Sequence, residues 1–163
     1  ASQVPGVSFV FVGKMKERHF ADAFDEYVKR LGAYCKCEVR EIAEQRLGER
    51  PSEREIEVAL SKEAREIEKA IPRGAYVCAL CVEGGMCSSE QLAEKLAGLD
   101  ARGIGRVCFI VGGSFGLDES LKARADMRLS MSKMTFPHHL ARVMLAEQVY
   151  RAFTINAGTK YHK

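Results

Sequence analysis

Apolar residues in this chain follow two rhythms that alternate along its length. Val7–Val12 is a block without polar alternation, as in a strand covered on both faces. After Gly13, Lys14 and Lys16, the spacing of Phe20, Phe24, Tyr27, Val28 and Leu31 is helical, and Gly32 offers a stop. Cys37–Ile42 alternates loosely and predicts a second strand. Past Gly48 and Pro51, Ser52 with Glu55 fits a capping box opening a charged helix that runs to about Ile71 and ends at Pro72 and Gly74. Tyr76–Val82 predicts a third strand closed by a Gly84-Gly85 turn, with Ser88 or Ser89 capping a helix through about Leu99. Val107–Val111 then runs straight into Gly112-Gly113-Ser114-Phe115-Gly116. A short helix after Asp118, a short strand near Met127–Met131 and a long helix from about His139 to Ile155 complete the pattern.

Strands that alternate with helices define an α/β class: a mostly parallel sheet with helices on both faces. A chain of 163 residues without repeats, low-complexity tracts or linkers makes one domain, residues 1–163. The opening Ala1-Ser2-Gln3-Val4-Pro5-Gly6 has no Met and lacks the layout of a secretory signal. Residues 1–6 are therefore expected to be a disordered, processed or introduced lead. The last helix carries Leu140, Val143, Met144, Leu145, Val149, Ala152 and Phe153 over more than one narrow stripe. That breadth asks for a second surface, which a homodimer would supply. Glu147 and Arg151, four apart on this helix, are expected to pair with each other.

Composition narrows the class without naming a chemistry. With 47% hydrophobic and 29% charged residues the chain reads as an ordinary soluble domain, and no apolar run reaches membrane-span length. The net charge of +3 is unevenly spread: residues 1–110 carry 17 Lys/Arg against 18 Asp/Glu, and residues 111–163 carry 8 against 4. A basic carboxyl-terminal third suits an anionic partner, although a merely solvated face is equally compatible. The six cysteines do not form a metal or redox motif: Cys78 and Cys81 lie three apart in a strand and face opposite ways. Free thiols, no metal and a reducing, cytoplasmic setting are expected.

Ligands of parallel sheets bind beyond the carboxyl ends of the strands. Three loops stand there: Glu83-Gly84-Gly85, Gly112–Gly116, and Ser132–Pro137. The Gly112-Gly113 pair permits close backbone approach to a ligand, or simply a tight turn. Gly-Gly-Ser-Phe-Gly matches neither the dinucleotide nor the phosphate-loop spacing, which disfavours a nicotinamide enzyme or an NTPase. Met131-Ser132-Lys133-Met134-Thr135-Phe136-Pro137 combines apolar side chains with free backbone groups, as an adenine slot requires, with Pro137 in the first turn of the last helix. The tail Gly158–Lys163 is basic and aromatic: it is either frayed and idle, or Tyr161, His162 and Lys163 supply stacking, a titratable group and a phosphate contact.

Several of these segments together resemble the ribosomal RNA large subunit methyltransferase H family, of the SPOUT class. They are Gly13-Lys14, Tyr27–Leu31, Ile110–Leu117, Leu129–His138, Arg142-Val143, Glu147–Phe153 and Tyr161–Lys163. The resemblance spans the chain from about residue 7 and is most specific over its last fifty residues. It implies a carboxyl-terminal trefoil knot and S-adenosylmethionine-dependent methylation of N3 of a pseudouridine in large-subunit rRNA. It further implies action on the assembled ribosome as a homodimer. Carried over by position, Leu80, Gly112, Gly113 and Met131, Ser132, Lys133, Met134, Thr135 and Phe136 would bind the cofactor. His138, Arg142, Tyr161, His162 and Lys163 would handle the substrate, with His138 moving the proton and Arg142 stabilising the anion or docking a phosphate. A helix-capping role for His138 is the competing reading. Phe115 stands where a small or polar residue is expected, and Cys78, Cys81 and Cys87 crowd the third strand and its turn. Rival readings are a SPOUT methyltransferase acting on tRNA and a non-catalytic ribosome-binding protein of the same fold.

Overall fold

The computed structural model describes residues 3–163. Five strands form one parallel sheet: β1 (Gly6–Val12), β2 (Lys36–Ile42), β3 (Tyr76–Gly85), β4 (Arg106–Val111) and β5 (Met127–Leu129), in the order β2-β1-β4-β3-β5. All seven residues of β1 are buried, because it is flanked by β2 and β4 and covered above and below. β2 is an edge strand and mostly exposed, and this explains its mixed polar pattern.

Helices α1 (Arg18–Leu31), α3 (Ser89–Ala101) and α5 (His138–Ala157) cover one face, over a core of Phe9, Phe11, Phe109, Leu96, Val149 and Phe153. Helices α2 (Glu53–Ala70) and α4 (Glu119–Arg124) cover the other face, over Val10, Ala79, Ile110, Ile67 and Leu121. The expected layering, with helices on both faces, is therefore present. The predicted capping box also forms: Ser52 accepts from the Glu55 amide, and the Glu55 side chain returns to the Ser52 amide. Ser88 with Gln91 makes a second one at the head of α3.

Four expectations need correction. Of the anticipated lead, residues 1 and 2 lie outside the described residues. Val4, however, is fully buried in the core and Gln3 donates to the Phe153 carbonyl at 2.8 Å, so the domain begins before Gly6. The breadth of the apolar surface on α5 is satisfied within the chain only in part: Leu145, Val149, Ala152 and Phe153 are buried where α5 packs against α1 and α3, while Leu140, Val143 and Met144 stay half-buried. Gly84-Gly85 is not a turn beyond β3 but its last two residues: the register shifts between Leu80 and Gly85, so that both pair with Leu129. A Cβ on Gly84 would sit 2.8 Å from the Leu129 backbone nitrogen, and only glycine lets the two segments lie this close. Finally, Pro137 is the N-cap of α5, one position before its first turn.

Candidate functional site

The carboxyl ends of β3, β4 and β5 open on a cleft of about 550 Å3. Each wall is fixed by the local sequence. From β4 the chain enters the glycine loop, which Gly113 and Gly116 pin by a backbone hydrogen bond of 3.1 Å. A Cβ at Gly112 would lie 2.2 Å from the Gly116 carbonyl oxygen, so the loop can close only with glycine there. From β5, the Ser130 amide donates to the Gly85 carbonyl at 2.9 Å, tying the segment after β5 to the end of β3. The Ser130 hydroxyl donates to the Ser132 carbonyl at 3.0 Å, and the Ser132 hydroxyl accepts from the Met134 amide at 3.0 Å. The segment is thus shaped by its own serines. From β3, Glu83 pairs with Lys122 of α4 at 2.6 Å. That contact holds the Glu83 carboxyl below the usual carboxylate range.

The predicted cofactor residues gather here with one exception. Leu80, Gly112, Gly113, Met131, Ser132, Met134, Thr135 and Phe136 all line the cleft, whereas Lys133 is exposed and does not. The lining is largely apolar, with Glu83 and Lys122 neutralising each other. Sequence reasoning missed that pair, and it undervalued Phe115, which lines the cleft while 49% exposed. An acidic residue ending a strand was the available signal for Glu83.

The predicted substrate residues are dispersed. His138 lines the cleft at the head of α5. Burial lowers its pKa below the ordinary imidazole value, helped by neighbouring His139 and Arg142, so the ring is neutral at neutral pH. His139, beside it, is bound to Glu17 through Nδ1 at 2.5 Å. Arg142 does not reach the cleft. It is fully buried under the end of β1, donating to the Val12 carbonyl at 2.5 Å, lying 3.5 Å from Glu41 and 4.6 Å above the Phe11 ring. Its Nε has no partner, and burial lowers its pKa from the usual guanidinium value.

The tail lies outside the cleft as well. Tyr161 donates to Glu147 at 2.7 Å and stacks edge-on against Tyr150 at 4.8 Å. Its pKa is pushed well above the phenol range by burial and the Glu147 carboxylate. The expected Glu147–Arg151 pair is present at 2.6 Å, and Arg151 also reaches His162 at 3.0 Å and the Tyr161 ring at 4.8 Å. His162 contacts Glu90 of α3 at 2.8 Å. Arg151, read from the sequence only as a helix pair, is thus the organiser of the tail. Half of the carboxyl-terminal cations, Lys122, Arg124, Arg142 and Arg151, are engaged by carboxylates. All six cysteines are free, and burial pushes the Cys35, Cys78 and Cys108 thiols up to about 12, which makes them inert. Among the described residues no helix is long and apolar enough to cross a membrane, and no cluster of His, Cys, Asp and Glu is placed to hold a metal ion.

A parallel sheet carrying its cleft in loops at the ends of β3, β4 and β5 is the architecture of a known class. The family model described as "Predicted SPOUT methyltransferase" matches residues 6–162, and the chain belongs to that family. Among curated relatives, the "Ribosomal RNA large subunit methyltransferase H" of Clostridioides difficile (strain 630) is 45% identical over 157 residues, covering 96% of this chain and 99% of that protein. The protein of the same name from Bifidobacterium adolescentis is 48% identical over 160 residues, with the same coverage. In fold, a "Probable Methyltransferase" crystal structure from Bordetella pertussis Tohama I matches with a TM-score of 0.60 at 16% identity, over 92% of this chain and 97% of that one.

Proposed function

We propose that this chain methylates N3 of a pseudouridine in large-subunit ribosomal RNA, on the assembled ribosome, with S-adenosylmethionine as donor. The observation that carries the reading is the convergence of three separate strand-end loops on one mostly uncharged cleft with a neutral histidine at its edge. The relatives named for large-subunit rRNA methylation support the substrate class.

The lining suits the donor. An adenosine group brings no phosphate to neutralise, and the cleft offers none of the cations a phosphate would need, since Lys122 is held by Glu83. Leu80, Met131, Met134 and Phe136 provide apolar contact, and the backbone of 112–116 and 130–136 provides hydrogen bonds. When bound, the donor supplies an electrophilic methyl group that needs no metal. The chain has then to orient the acceptor and remove its imide proton. His138, neutral and at the cleft wall, accepts that proton at a ring nitrogen. Arg142 acts by position: it fixes the Val12 carbonyl, and its charge helps keep His138 unprotonated. Tyr161, His162 and Lys163, beside Glu147 on the outer side of α5, belong to substrate handling in this reading. A homodimer is consistent with the exposed Val82 and Met134 that line the cleft and with exposed Met86 on the loop after β3. The trefoil knot and a cytoplasmic setting belong to the same reading.

The test is incubation of ribosomes lacking the modification with protein and labelled donor, followed by mass mapping of nucleosides. Methylated pseudouridine in large-subunit RNA, with none on tRNA, is expected. Label on free tRNA, or no transfer by a sample that binds donor calorimetrically, would overturn it.

A further inference from the structure

A second cleft, of about 710 Å3, opens at the carboxyl ends of β1 and β2 and is closed on one side by α2. It lies where the strand order reverses: from β1 the chain moves one way to β2, and β4 and β3 lie on the other side. That reversal is where open parallel sheets leave room for ligands. The two clefts share Ser114 and Phe115, so the glycine loop after β4 is the wall between them.

The charges around this second cleft divide into two kinds. Its three carboxylates are committed to backbone. Glu41 accepts from the Met15 amide at 3.0 Å, Glu44 from the Ser114 amide at 3.1 Å, and Glu63 from the Gln45 amide at 2.8 Å. Each therefore ties one segment of the wall to another. The three cations are not committed: the side chains of Lys14, Lys16 and Arg46 have no ion pair or hydrogen bond among the described residues, and all three are exposed. Beside them stands Phe115, an apolar ring half in solvent with no packing reason to be there.

We infer that this second cleft receives the RNA strand next to the acceptor nucleotide, with phosphates on Lys14, Lys16 and Arg46 and a flanking base against the Phe115 ring. Three unpaired cations at one cleft form a backbone-tracking surface, and an exposed ring is a stacking platform for a base out of its helix. The arrangement leads the strand to the loop that borders the donor cleft, so that the acceptor itself can enter that cleft beside His138. The inference rests on the methyl-transfer reading for what lies in the first cleft, but not for the binding of RNA in the second.

The test compares Lys14→Gln/Lys16→Gln/Arg46→Gln with Lys36→Gln/Arg73→Gln/Arg102→Gln, which removes as many exposed charges from the other end of the sheet. The probe is a short fluorescent oligouridine, followed by anisotropy over a range of salt without donor. Calorimetric donor affinity serves as the check on folding. For the first variant, weakening of about tenfold or more and a salt dependence shallower by about 2 are expected, with the control and both donor affinities within about twofold of the parent. On ribosomes, the first variant should raise KM and leave kcat nearly unchanged. Unchanged RNA binding and salt dependence in the first variant would overturn the inference. Equal losses in the control, or no RNA binding by the parent, would overturn it too. A parent that binds RNA but not donor would instead sink the proposed function, and the oligouridine comparison would still decide the cleft.

Discussion

Arg142 heads the fully buried side chains, and it is a charge. Its polar gains are a charged hydrogen bond to the Val12 carbonyl, of roughly 1.5–3 kcal/mol, contact with the Phe11 ring, of roughly 0.5–2 kcal/mol, and the half-exposed Glu41 pair, of at most about 1 kcal/mol. Against these stand desolvation of the guanidinium, of several kcal/mol, and the unpartnered Nε, about 1–3 kcal/mol. The polar contributions nearly cancel, so what Arg142 mainly supplies to stability is volume. Arg142→Ala should therefore cost about 3 kcal/mol, the ordinary penalty for emptying a large buried site. Arg142→Met, which keeps length and sheds the charge, should stay within about 1.5 kcal/mol in either direction. Urea unfolding followed by circular dichroism measures both, the chain having no tryptophan to report on. In melting temperature the alanine variant should lose about 6–12 °C. Equal losses for Met and Ala would show that the charge, not the volume, is what the site needs. An alanine cost below about 1 kcal/mol would refute the packing itself.

Gly112→Ala, which places a Cβ against the Gly116 carbonyl, should lower donor affinity by about tenfold or more in calorimetry while α-helix content is retained. Burial raises the Glu63 pKa above the ordinary carboxylate value. Its contribution favours folding at pH below the unfolded value and is lost as pH rises through the folded one. Glu63→Gln should accordingly raise the urea midpoint at pH 7 and leave it unchanged at acid pH, where both states bind the proton; destabilisation at pH 7 would refute this. Because the His138 pKa is lowered, single-turnover transfer should be level through neutral pH and fall only on the acid side of the ordinary imidazole range. In His138→Ala that acid limb should vanish, together with a rate loss of about 10²–10⁴. Persistence of the limb would remove the histidine from proton transfer.

Much of the fold was legible because its signals are local. Uninterrupted apolar blocks marked β1 and β4, and the Ser52–Glu55 spacing marked the head of α2. What escaped was set by distant partners. Val4 looks like part of a lead until the core it enters is known, and Gly84-Gly85 looks like a turn until β5 is seen lying against it. The breadth of α5 pointed outward to a second chain, although α1 and α3 already cover Leu145, Val149, Ala152 and Phe153. At the site, the loop residues were readable because glycines and an adenine-sized apolar segment announce themselves. Arg142 and the tail were not, since burial of Arg142 under β1 and capture of His162 by Glu90 depend on partners more than fifty residues away in sequence, and capture of Tyr161 by Glu147 depends on the tail folding back along α5.

The register shift of β3 against Leu129 also bears on how the protein comes into being. The walls of the donor cleft come from residues 80–83, 111–117 and 130–138, and the first and third strand-end segments are joined through the Ser130–Gly85 bond. While the ribosome is still making the chain, the first two segments emerge with nothing to close on, and the hydrophobic face of the sheet beneath α5 stays bare. Catalytic competence therefore arrives only once residues 130–138 and α5 have emerged, and a product truncated before them would expose an adhesive sheet without ever having held a donor.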